Sequence, residues 1–399
     1  MRIAIFTDAF LPQINGVVTY ITETAQKLVE RGHEVLVFAP KPRKGVKINL
    51  SEFSFKIFLL PSLPAFVYPD ARITLPALPK LLIDLKKFRT EIIHIQTPFT
   101  VGTEGLISGK ILKIPLVATF HSFYIDKPFF EDFKLEKFSD QLQNPLWNLY
   151  TSYFNLVDTV ICPTRIAQTE LKKYGLYKPN VVIQHGVNFF LINKGIKADI
   201  SNLQRKLGLK SADKVGIYSG RLAADKGIDT LINIWRKVVN NIPDAKLLII
   251  GSGPIENSLK NLVKKFKLRK EIIFSGAINR DTLMEKGWLK LGRLAVSASK
   301  IENMSYSLLE EMAFGLPAVA YKIRGIPEIL DNDCGILVPP DDTDSFTEKI
   351  VDLFSDGAKL KKLSRGAKNK AKLFDLEKKI DALENLYSDM INSKSRIKI

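Results

Sequence analysis

The fold of this chain is indicated by its opening residues 2–39, which read RIAIFTDAFLPQINGVVTYITETAQKLVERGHEVLVFA. The apolar run at 2–8 is typical of a buried strand, and the run at 33–39 predicts a second one. Between them, an amphipathic pattern over about 19–31 predicts a helix that ends at Gly32. A strand, a helix and a second strand of these lengths form the unit of a parallel, doubly wound sheet. The sequence therefore predicts an α/β fold whose ligands bind beyond the carboxyl ends of the strands.

The alternation of strands and helices continues and then starts again in the second half of the chain. Further strands are predicted at 92–96, 116–120, 160–163, 214–219, 246–251, 272–275, 293–297 and 318–320. A length of 399 residues also exceeds what one ordinary core holds. We therefore predict two Rossmann-like domains, at 1–192 and 214–375, with a linker region at 193–213 between them and a C-terminal segment at 376–399.

The composition is typical of a soluble globular protein in a reducing compartment. Hydrophobic residues make up 46% of the chain and charged residues 25%. The two cysteines, Cys162 and Cys334, lack the C-x-x-C spacing of zinc and redox sites and predict no disulfide framework. No apolar run reaches the roughly 18–20 residues that span a bilayer. We therefore expect a cytoplasmic protein.

The net charge of +17 favours anionic partners. No arginine-rich tract, aromatic RNA-binding signature or zinc-finger spacing accompanies it, so nucleic acid is not expected as a partner. Residues 78–89 predict an amphipathic helix with four cations, Lys80, Lys86, Lys87 and Arg89. Such a helix is compatible with an anionic membrane surface, and hence with a peripheral position on the inner face of the cell membrane. The alternative is a solvated face around a packed apolar stripe.

Residues 299–317 (SKIENMSYSLLEEMAFGLP) form a candidate small-molecule site. The run after Glu302 is turn-like and the run around Glu310 is helix-forming, with Ser305 or Ser307 as N-cap, so unpaired N–H groups favour an anionic or hydroxyl-rich ligand. Eight residues of helix rise about 12 Å, beyond the roughly 5–9.5 Å of a glycosidase carboxylate pair. The two carboxylates would therefore contact different parts of one ligand, through pairs of sugar or ribose hydroxyls. The alternative is a pair of solvated helix charges.

A pair of cations precedes a predicted helix in the second domain. Arg221 and Lys226 lie five residues apart in the loop after the strand at 214–219. Two cations in such a loop can clamp a diphosphate, through the forked donors of arginine and the point charge of lysine. Together with Glu302 and Glu310, they predict a site for a nucleoside diphosphate attached to a polyol.

The first domain has its own candidates near the ends of its strands. Asn15-Gly16 lies in the first strand-to-helix loop, where the missing G-x-G-x-x-G fingerprint disfavours a dehydrogenase. His121 directly follows a predicted strand and is well placed for a ligand, whereas His94 lies between isoleucines in mid-strand and is typical of a core residue. Residues 123–138 interleave aromatic and charged side chains, which is compatible with an acceptor-binding lip, a membrane-facing patch or a cover for the sheet.

These motifs resemble those of the retaining glycosyltransferases of family 4, which have the GT-B architecture of two Rossmann-like domains facing a cleft. The resemblance covers nearly the whole chain and is carried by three motifs in order. These are Gly220-Arg221-Leu222 with Lys226-Gly227, Glu302 and Glu310 with 312–317, and 325–329 with 335–340. The resemblance implies an enzyme that moves a hexose from a nucleotide sugar to a lipid such as diacylglycerol or to a glycan. UDP-hexose is the favoured donor, and GDP-mannose is the alternative.

For the second domain, the resemblance implies a nucleotide-sugar site. Arg221 and Lys226 would hold the donor diphosphate, and Glu310 the ribose hydroxyls. Glu302 would hold the hydroxyls of the donor sugar and act catalytically by supporting an oxocarbenium-like sugar. Donor contacts are also implied for two backbone stretches, Asn303, Met304 and Ser305, and Gly276, Ala277 and Ile278, the second of which would line the base pocket.

For the first domain, the resemblance implies the acceptor side. His121 would lie near the transferred sugar as a catalytic residue, and the loop of Asn15 and Gly16 would close on the diphosphate. The C-terminal helix, at about 376–390, would cross back to this domain. No metal ion and no cofactor is implied, because cations and a helix dipole stabilise the leaving diphosphate. The family retains the anomeric configuration of the sugar, which is attributed to attack by the acceptor on the same face as the leaving phosphate.

The chain departs from the common pattern of the family at several positions. Asn15-Gly16 replaces Gly-Gly, Glu311 stands where alanine is usual, and Arg324 takes the place of a glycine. The opening loop is similar to that of enzymes that add a hexose to diacylglycerol, whereas the Glu-Asn-Met-Ser run is similar to polysaccharide-assembly members with a soluble or polyprenyl-linked acceptor. Two alternatives of another class are a non-catalytic nucleotide-sugar-binding protein and a sugar phosphorylase, which normally carries a pyridoxal-bearing lysine.

Overall fold

The computed structural model describes residues 1–13, 15–46, 48–65, 72–123 and 139–396. The chain forms two compact units, one of Met1–Gln184 with Lys378–Ile399 and one of His185–Glu377. Within the described ranges, no helix is long and apolar enough to cross a membrane. Beyond Phe123, the stretch predicted as an acceptor lip or membrane-facing patch lies outside the described residues.

The first unit is built on a seven-stranded parallel sheet with the order β3-β2-β1-β6-β7-β8-β9. Its strands are β1 (Arg2–Phe6), β2 (Glu34–Pro40), β3 (Lys56–Leu60), β6 (Ile92–Ile95), β7 (Leu116–Thr119), β8 (Thr159–Cys162) and β9 (Asn180–Val182), and a separate antiparallel hairpin consists of β4 (Ser62–Pro64) and β5 (Arg72–Thr74). The described helices before the second unit are α1 (Gly16–Glu30), α2 (Leu78–Lys87), α3 (Thr100–Leu112), α4 (Ser139–Phe154) and α5 (Arg165–Lys173). Apart from the hairpin, the strands are ordered outward from β1 as in a doubly wound sheet, which confirms the predicted fold class.

The second unit repeats this arrangement with six parallel strands in the order β12-β11-β10-β13-β14-β15. Its strands are β10 (Lys214–Ser219), β11 (Ala245–Ile250), β12 (Ile272–Gly276), β13 (Leu294–Ser297), β14 (Ala318–Tyr321) and β15 (Gly335–Val338). Its α-helices are α6 (Phe189–Lys197), α7 (Ser201–Leu207), α8 (Ile228–Asn241), α9 (Glu256–Lys265), α10 (Arg280–Glu285), α11 (Tyr306–Phe314), α12 (Ile326–Ile329), α13 (Thr343–Ser355) and α14 (Gly357–Ala371). The stretch 193–213, predicted as a linker region, contains the end of α6 and all of α7.

The second sheet is apolar on both faces because helices cover each of them. Along β10, Val215 and Ile217 belong to one buried cluster and Tyr218 belongs to another. Trp235 of α8 fills the space beside Gly216, where a Cβ atom would lie 2.5 Å from the indole ring. Burial on both faces explains why these strands are continuous apolar runs in the sequence.

The helix α15 (Leu376–Arg396) begins in the second unit and continues in the first. Within the first unit, the hydroxyl of Tyr387 lies 2.6 Å from Nδ1 of His94, and the hydroxyl of Thr119 lies 2.7 Å from its Nε2. Burial lowers the pKa of His94 to about 3. Both ring nitrogens are hydrogen-bonded inside the core, which confirms the prediction that His94 is a core residue.

Candidate functional site

The loop between β10 and α8 is held against the residues that follow β13. Gly227 has a φ of +60°, and a Cβ atom there would lie 2.1 Å from the carbonyl oxygen of Ala298. Only glycine tolerates both the backbone conformation and this approach. The Lys300 N–H donates to the carbonyl of Asp225 at 2.8 Å. These contacts place the cations of the loop beside the turn that contains Glu302.

Four side chains of alternating charge meet at this loop. Arg221 Nη2 lies 3.1 Å from Asp225 Oδ1, and Lys226 Nζ lies 3.4 Å from Asp225 Oδ2. Lys226 Nζ also donates to Glu302 Oε2 at 2.9 Å. Burial acts to lower the pKa of Lys226, but the charges of Glu302 and Asp225 outweigh it and raise this pKa above its usual value. The structure therefore brings the two predicted diphosphate cations and Glu302 together, and the four formal charges sum to zero.

The turn after Glu302 leads into α11, which begins at Tyr306. The hydroxyl oxygen of Ser305 accepts a hydrogen bond from the Leu308 N–H at 3.4 Å, so the prediction of an N-cap at this helix is confirmed for Ser305. The predicted change from a turn after Glu302 to a helix around Glu310 is confirmed. Because the first residues of this stretch form a turn, the estimated rise does not apply to the distance between the two carboxylates.

Asn303 and Met304 lie in this turn and are buried. The sulfur of Met304 accepts a hydrogen bond from the His185 N–H at 3.1 Å. The His185 ring stacks on Tyr306, with ring centroids 4.7 Å apart. Through these contacts, the turn between Glu302 and Glu310 packs against His185 inside the second unit.

Glu310 is buried in an ion pair with Arg280, the first residue of α10. Nε and Nη2 of Arg280 both contact Glu310 Oε1, and the side chains are 21% and 6% exposed, respectively. The guanidinium of Arg280 also lies 5.9 Å from the centre of the Tyr306 ring. The carboxylate predicted to contact ribose is thus oriented by a cation from a different element.

The predicted base-lining residues end β12 and precede Arg280. Gly276 has a φ of +77°, and its carbonyl accepts from the Gly251 N–H at 3.0 Å. Ala277 is exposed, and Ile278 packs against the buried core. Arg280 lies two residues after Ile278, so its ion pair with Glu310 brings this segment close to that carboxylate.

Glu311, which stands where the family has alanine, is buried beside Glu310. Ser219 Oγ donates to Glu311 Oε1 at 2.7 Å. Burial raises the pKa of Glu311 well above its usual range and the charge of Glu310 raises it further, whereas the bond from Ser219 lowers it. This side chain links the end of β10 to α11 inside the core.

His121 lies just beyond β7 in the first unit and is buried. Its Nε2 lies 2.7 Å from Gln96 Oε1, and its ring centre lies 4.9 Å from that of Tyr20 in an edge-on contact. These two contacts set the orientation of the imidazole at the carboxyl end of the sheet.

Asn15 and Gly16 lie at the start of α1. The side-chain oxygen of Asn15 accepts from the Val18 N–H at 3.0 Å, and Gly16 is the first residue of the helix. The helix therefore begins earlier than the predicted residue 19. Asn15, Gly16 and His121 belong to the first unit and the other candidates to the second.

Two residues of the site were not predicted. Asp225 lies in the motif between the two cations, where its charge was visible in the sequence. Arg280 lies 30 residues before Glu310 in the chain, and no pattern in the sequence connects the two. Folding alone brings this pair together.

Comparisons with protein families match both halves of the chain. The family described as "Glycosyltransferase Family 4" matches residues 14–189. The family described as "Glycosyl transferases group 1" matches residues 199–370. The second match includes both predicted cations and both predicted glutamates.

Individual relatives cover most of the chain. The alpha-monoglucosyldiacylglycerol synthase of Streptococcus pneumoniae is 29% identical over 326 residues, which are 80% of this chain and 71% of the relative. The synthase of the same name from Acholeplasma laidlawii is 26% identical and covers 99% of both chains. Among solved structures, Anabaena HepE in complex with UDP and glucose has a TM-score of 0.79 at 18% identity, over 98% of this chain and 100% of that one. At this identity, the structural match supports the fold.

Proposed function

Because the chain belongs to the group 1, family 4 glycosyltransferases of GT-B fold and acts on a lipid or glycan acceptor, we propose that it moves a hexose from a UDP-hexose to a lipid acceptor with retention of configuration. Two relatives are named as synthases of a glucosyl diacylglycerol, which supports the lipid acceptor. A solved neighbour holds UDP and glucose, which supports the donor. GDP-mannose is the alternative donor.

The alternating charge cluster is the observation that carries this proposal. Arg221 and Lys226 supply two positive charges beside the end of β10, where ligands of doubly wound sheets bind. A diphosphate held there would have its growing negative charge stabilised as the bond to the sugar breaks. Lys226 and Glu302 are in contact, so the carboxylate would lie next to the bond that breaks. This chemistry needs no metal ion.

The remaining parts of the donor are assigned to groups around the cluster. Glu310, oriented by Arg280, holds the ribose hydroxyls, and the segment of Gly276–Ile278 lines the base. In the first unit, the hydrogen bond between His121 Nε2 and Gln96 Oε1 orients the imidazole, which we assign to the transferred sugar. The acceptor hydroxyl then attacks the sugar from the same face on which the phosphate leaves, which retains the anomeric configuration.

Release of nucleoside diphosphate from a panel of UDP- and GDP-hexoses tests this proposal. We expect one donor to be used, and Lys226→Ala to lower the rate about 100-fold, because a charged hydrogen bond to the diphosphate is lost. The matched control is Lys237→Ala, which removes a lysine of α8 whose Nζ pairs with Asp344 at 2.6 Å, away from the loop. Wild-type kinetics in Lys226→Ala would remove that lysine from the donor site. No release from any donor would contradict the proposed reaction.

The acceptor is tested in the same assay by adding diacylglycerol in anionic vesicles. Lipid-stimulated release supports the lipid acceptor. Release that is indifferent to lipid would instead indicate a soluble or polyprenyl-linked glycan.

The rate of nucleoside diphosphate release is expected to be unchanged by a chelator of divalent cations. A loss of activity that a divalent cation restores would contradict metal-independent transfer.

Exposed apolar and basic side chains of the first unit support a peripheral position on an anionic membrane. On α2, the positions of Ile83, Lys86 and Lys87 share one side of the helix. Ile83 and Ile111 of α3 are 53% and 54% exposed, and these two helices pack against each other. Exposed apolar side chains on helices that also carry exposed cations favour binding to anionic lipids.

Replacing Lys86 and Lys87 together by serine is expected to weaken binding to anionic vesicles about 30-fold, because each lysine near an anionic surface contributes about 1 kcal/mol. Co-sedimentation with vesicles that contain phosphatidylglycerol measures this loss. The matched control replaces Lys264 and Lys265, the exposed pair that ends α9 in the second unit. Equal losses in the two variants would show an effect of net charge alone and contradict a specific surface.

A further inference from the structure

Asp225 bridges the two cations that are proposed to hold the donor diphosphate. Its two carboxylate oxygens lie 3.1 Å from Arg221 Nη2 and 3.4 Å from Lys226 Nζ. Its side chain is only 14% exposed, so solvent screens these contacts weakly. The carboxylate of Asp225 thus lies close to the position that a bound diphosphate would take.

The backbone around Asp225 keeps this carboxylate close to the cations. The carbonyl of Asp225 accepts from the Lys300 N–H at 2.8 Å and from Ser299 Oγ at 3.3 Å. The close contact of Gly227 with Ala298 fixes the next part of the loop. A diphosphate that binds Arg221 and Lys226 would therefore meet the negative charge of Asp225 within a few ångströms.

We propose that Asp225 is an internal counter-ion of the diphosphate site, which weakens binding of the free nucleoside diphosphate and so favours release of the product. This inference rests on the proposed function. Asp225 contacts both cations and Glu302 contacts Lys226, so the formal charges of these four side chains sum to zero before the donor arrives. A diphosphate therefore gains less binding free energy at these side chains than it would at two cations without counter-ions, because it must replace the carboxylates that already pair with the cations.

The opposite role for the same contacts is to hold Arg221 and Lys226 in the geometry that a diphosphate needs. The two roles predict different changes in the affinity for nucleoside diphosphate when the charge of Asp225 is removed and the side chain keeps its size. Asparagine carries no charge and keeps one oxygen, which can accept a hydrogen bond from one of the two cations, whereas its NH2 group only donates. A counter-ion role predicts tighter binding in Asp225→Asn, and a role in orientation alone predicts unchanged or weaker binding.

Titration calorimetry with UDP and GDP on the full chain tests the inference. We expect Asp225→Asn to bind the nucleoside diphosphate about tenfold more tightly than the wild type, a difference of about 1.4 kcal/mol. Asp225→Ala is expected to bind more tightly than the wild type but less tightly than Asp225→Asn, because it also loses the one orienting hydrogen bond that asparagine can keep. The matched control is Asp229→Asn in the first turn of α8, which removes one charge from a residue that forms no ion pair with Arg221 or Lys226.

The outcomes separate this inference from the function on which it rests. Unchanged or weaker binding in both Asp225 variants, with normal binding by the wild type, would overturn the counter-ion role alone. Equal tightening in Asp229→Asn would also overturn it, because the effect would then come from net charge. A wild type that binds neither UDP nor GDP would overturn the proposed donor site instead.

Discussion

Glu302→Gln is expected to lower the turnover of hexose transfer by about 100- to 1,000-fold, the range seen when a group that stabilises transition-state charge is removed. The negative charge of the Glu302 carboxylate stabilises the positive charge that develops on the sugar, and a neutral glutamine side chain carries no such charge. Donor affinity should change much less, because Lys226, which now pairs with Glu302 at 2.9 Å, keeps its charge for the diphosphate. Steady-state turnover compared with the dissociation constant of the donor measures the two effects separately.

Glu285→Gln is the matched control for this change. Glu285 ends α10 in the same unit, and its side chain is 36% exposed and pairs with Lys194 at 2.9 Å. Its replacement should leave turnover unchanged. If Glu302→Gln turned over at the wild-type rate, or lost donor affinity and turnover equally, Glu302 would have no special role in the chemical step.

Arg280→Ala is expected to lower the free energy of unfolding of the second unit by about 3 kcal/mol, because it leaves the carboxylate of Glu310 buried without its cation. The side chain of Glu310 is only 6% exposed, so water cannot replace the lost partner. Affinity for nucleoside diphosphate should fall as well, since Glu310 would no longer be oriented towards ribose. Urea unfolding followed by tryptophan fluorescence measures the loss of stability, with Trp235 and Trp288 as probes in this unit.

A double variant distinguishes the unpaired charge from lost packing. In Arg280→Ala with Glu310→Gln, no buried charge lacks a partner, so stability should rise above that of Arg280→Ala alone. The contact of Arg280 with Tyr306, at 5.9 Å from the ring centre, is lost in both variants. A double variant as unstable as Arg280→Ala would therefore show that packing, and not the unpaired carboxylate, causes the loss.

The central strands were predictable because parallel strands that are buried on both faces form uninterrupted apolar runs. β10 occupies Lys214–Ser219, as the pattern predicts. Two of the strands that the pattern missed, β3 and β15, lie at the edges of their sheets and are only partly buried. Their apolar runs, at 57–60 and 336–338, are short, so composition alone does not distinguish them from a loop or a buried helix segment.

The start of α1 shows a second limit of sequence patterns. Asn15-Gly16 is a common turn signal, and the predicted helix accordingly begins after it. In the structure, Asn15 is the N-cap and Gly16 the first helical residue. An asparagine can end a turn or cap a helix with the same side-chain oxygen, and only the surrounding packing decides between them.

The candidate site was predictable where its residues belong to short motifs that the resemblance groups together. Arg221, Lys226 and Glu302 follow from loop chemistry and the resemblance, and their contacts agree with that grouping. Arg280 was not predictable, because its pairing with Glu310 depends on how α10 and α11 pack. Arg324, which stands where the resemblance implies a glycine, has a φ of +41°, in the left-handed region that glycine adopts more readily than arginine.

Helix α15 has a consequence for the order in which the chain folds during synthesis. The first unit consists of Met1–Gln184 and Lys378–Ile399, so the ribosome makes the whole second unit before it makes the last part of the first. Until then, the nascent sheet lacks Tyr387, whose hydroxyl bonds His94 in the core. The first unit therefore cannot complete its core until the second unit has been translated, and its incomplete surface stays accessible to chaperones during that time.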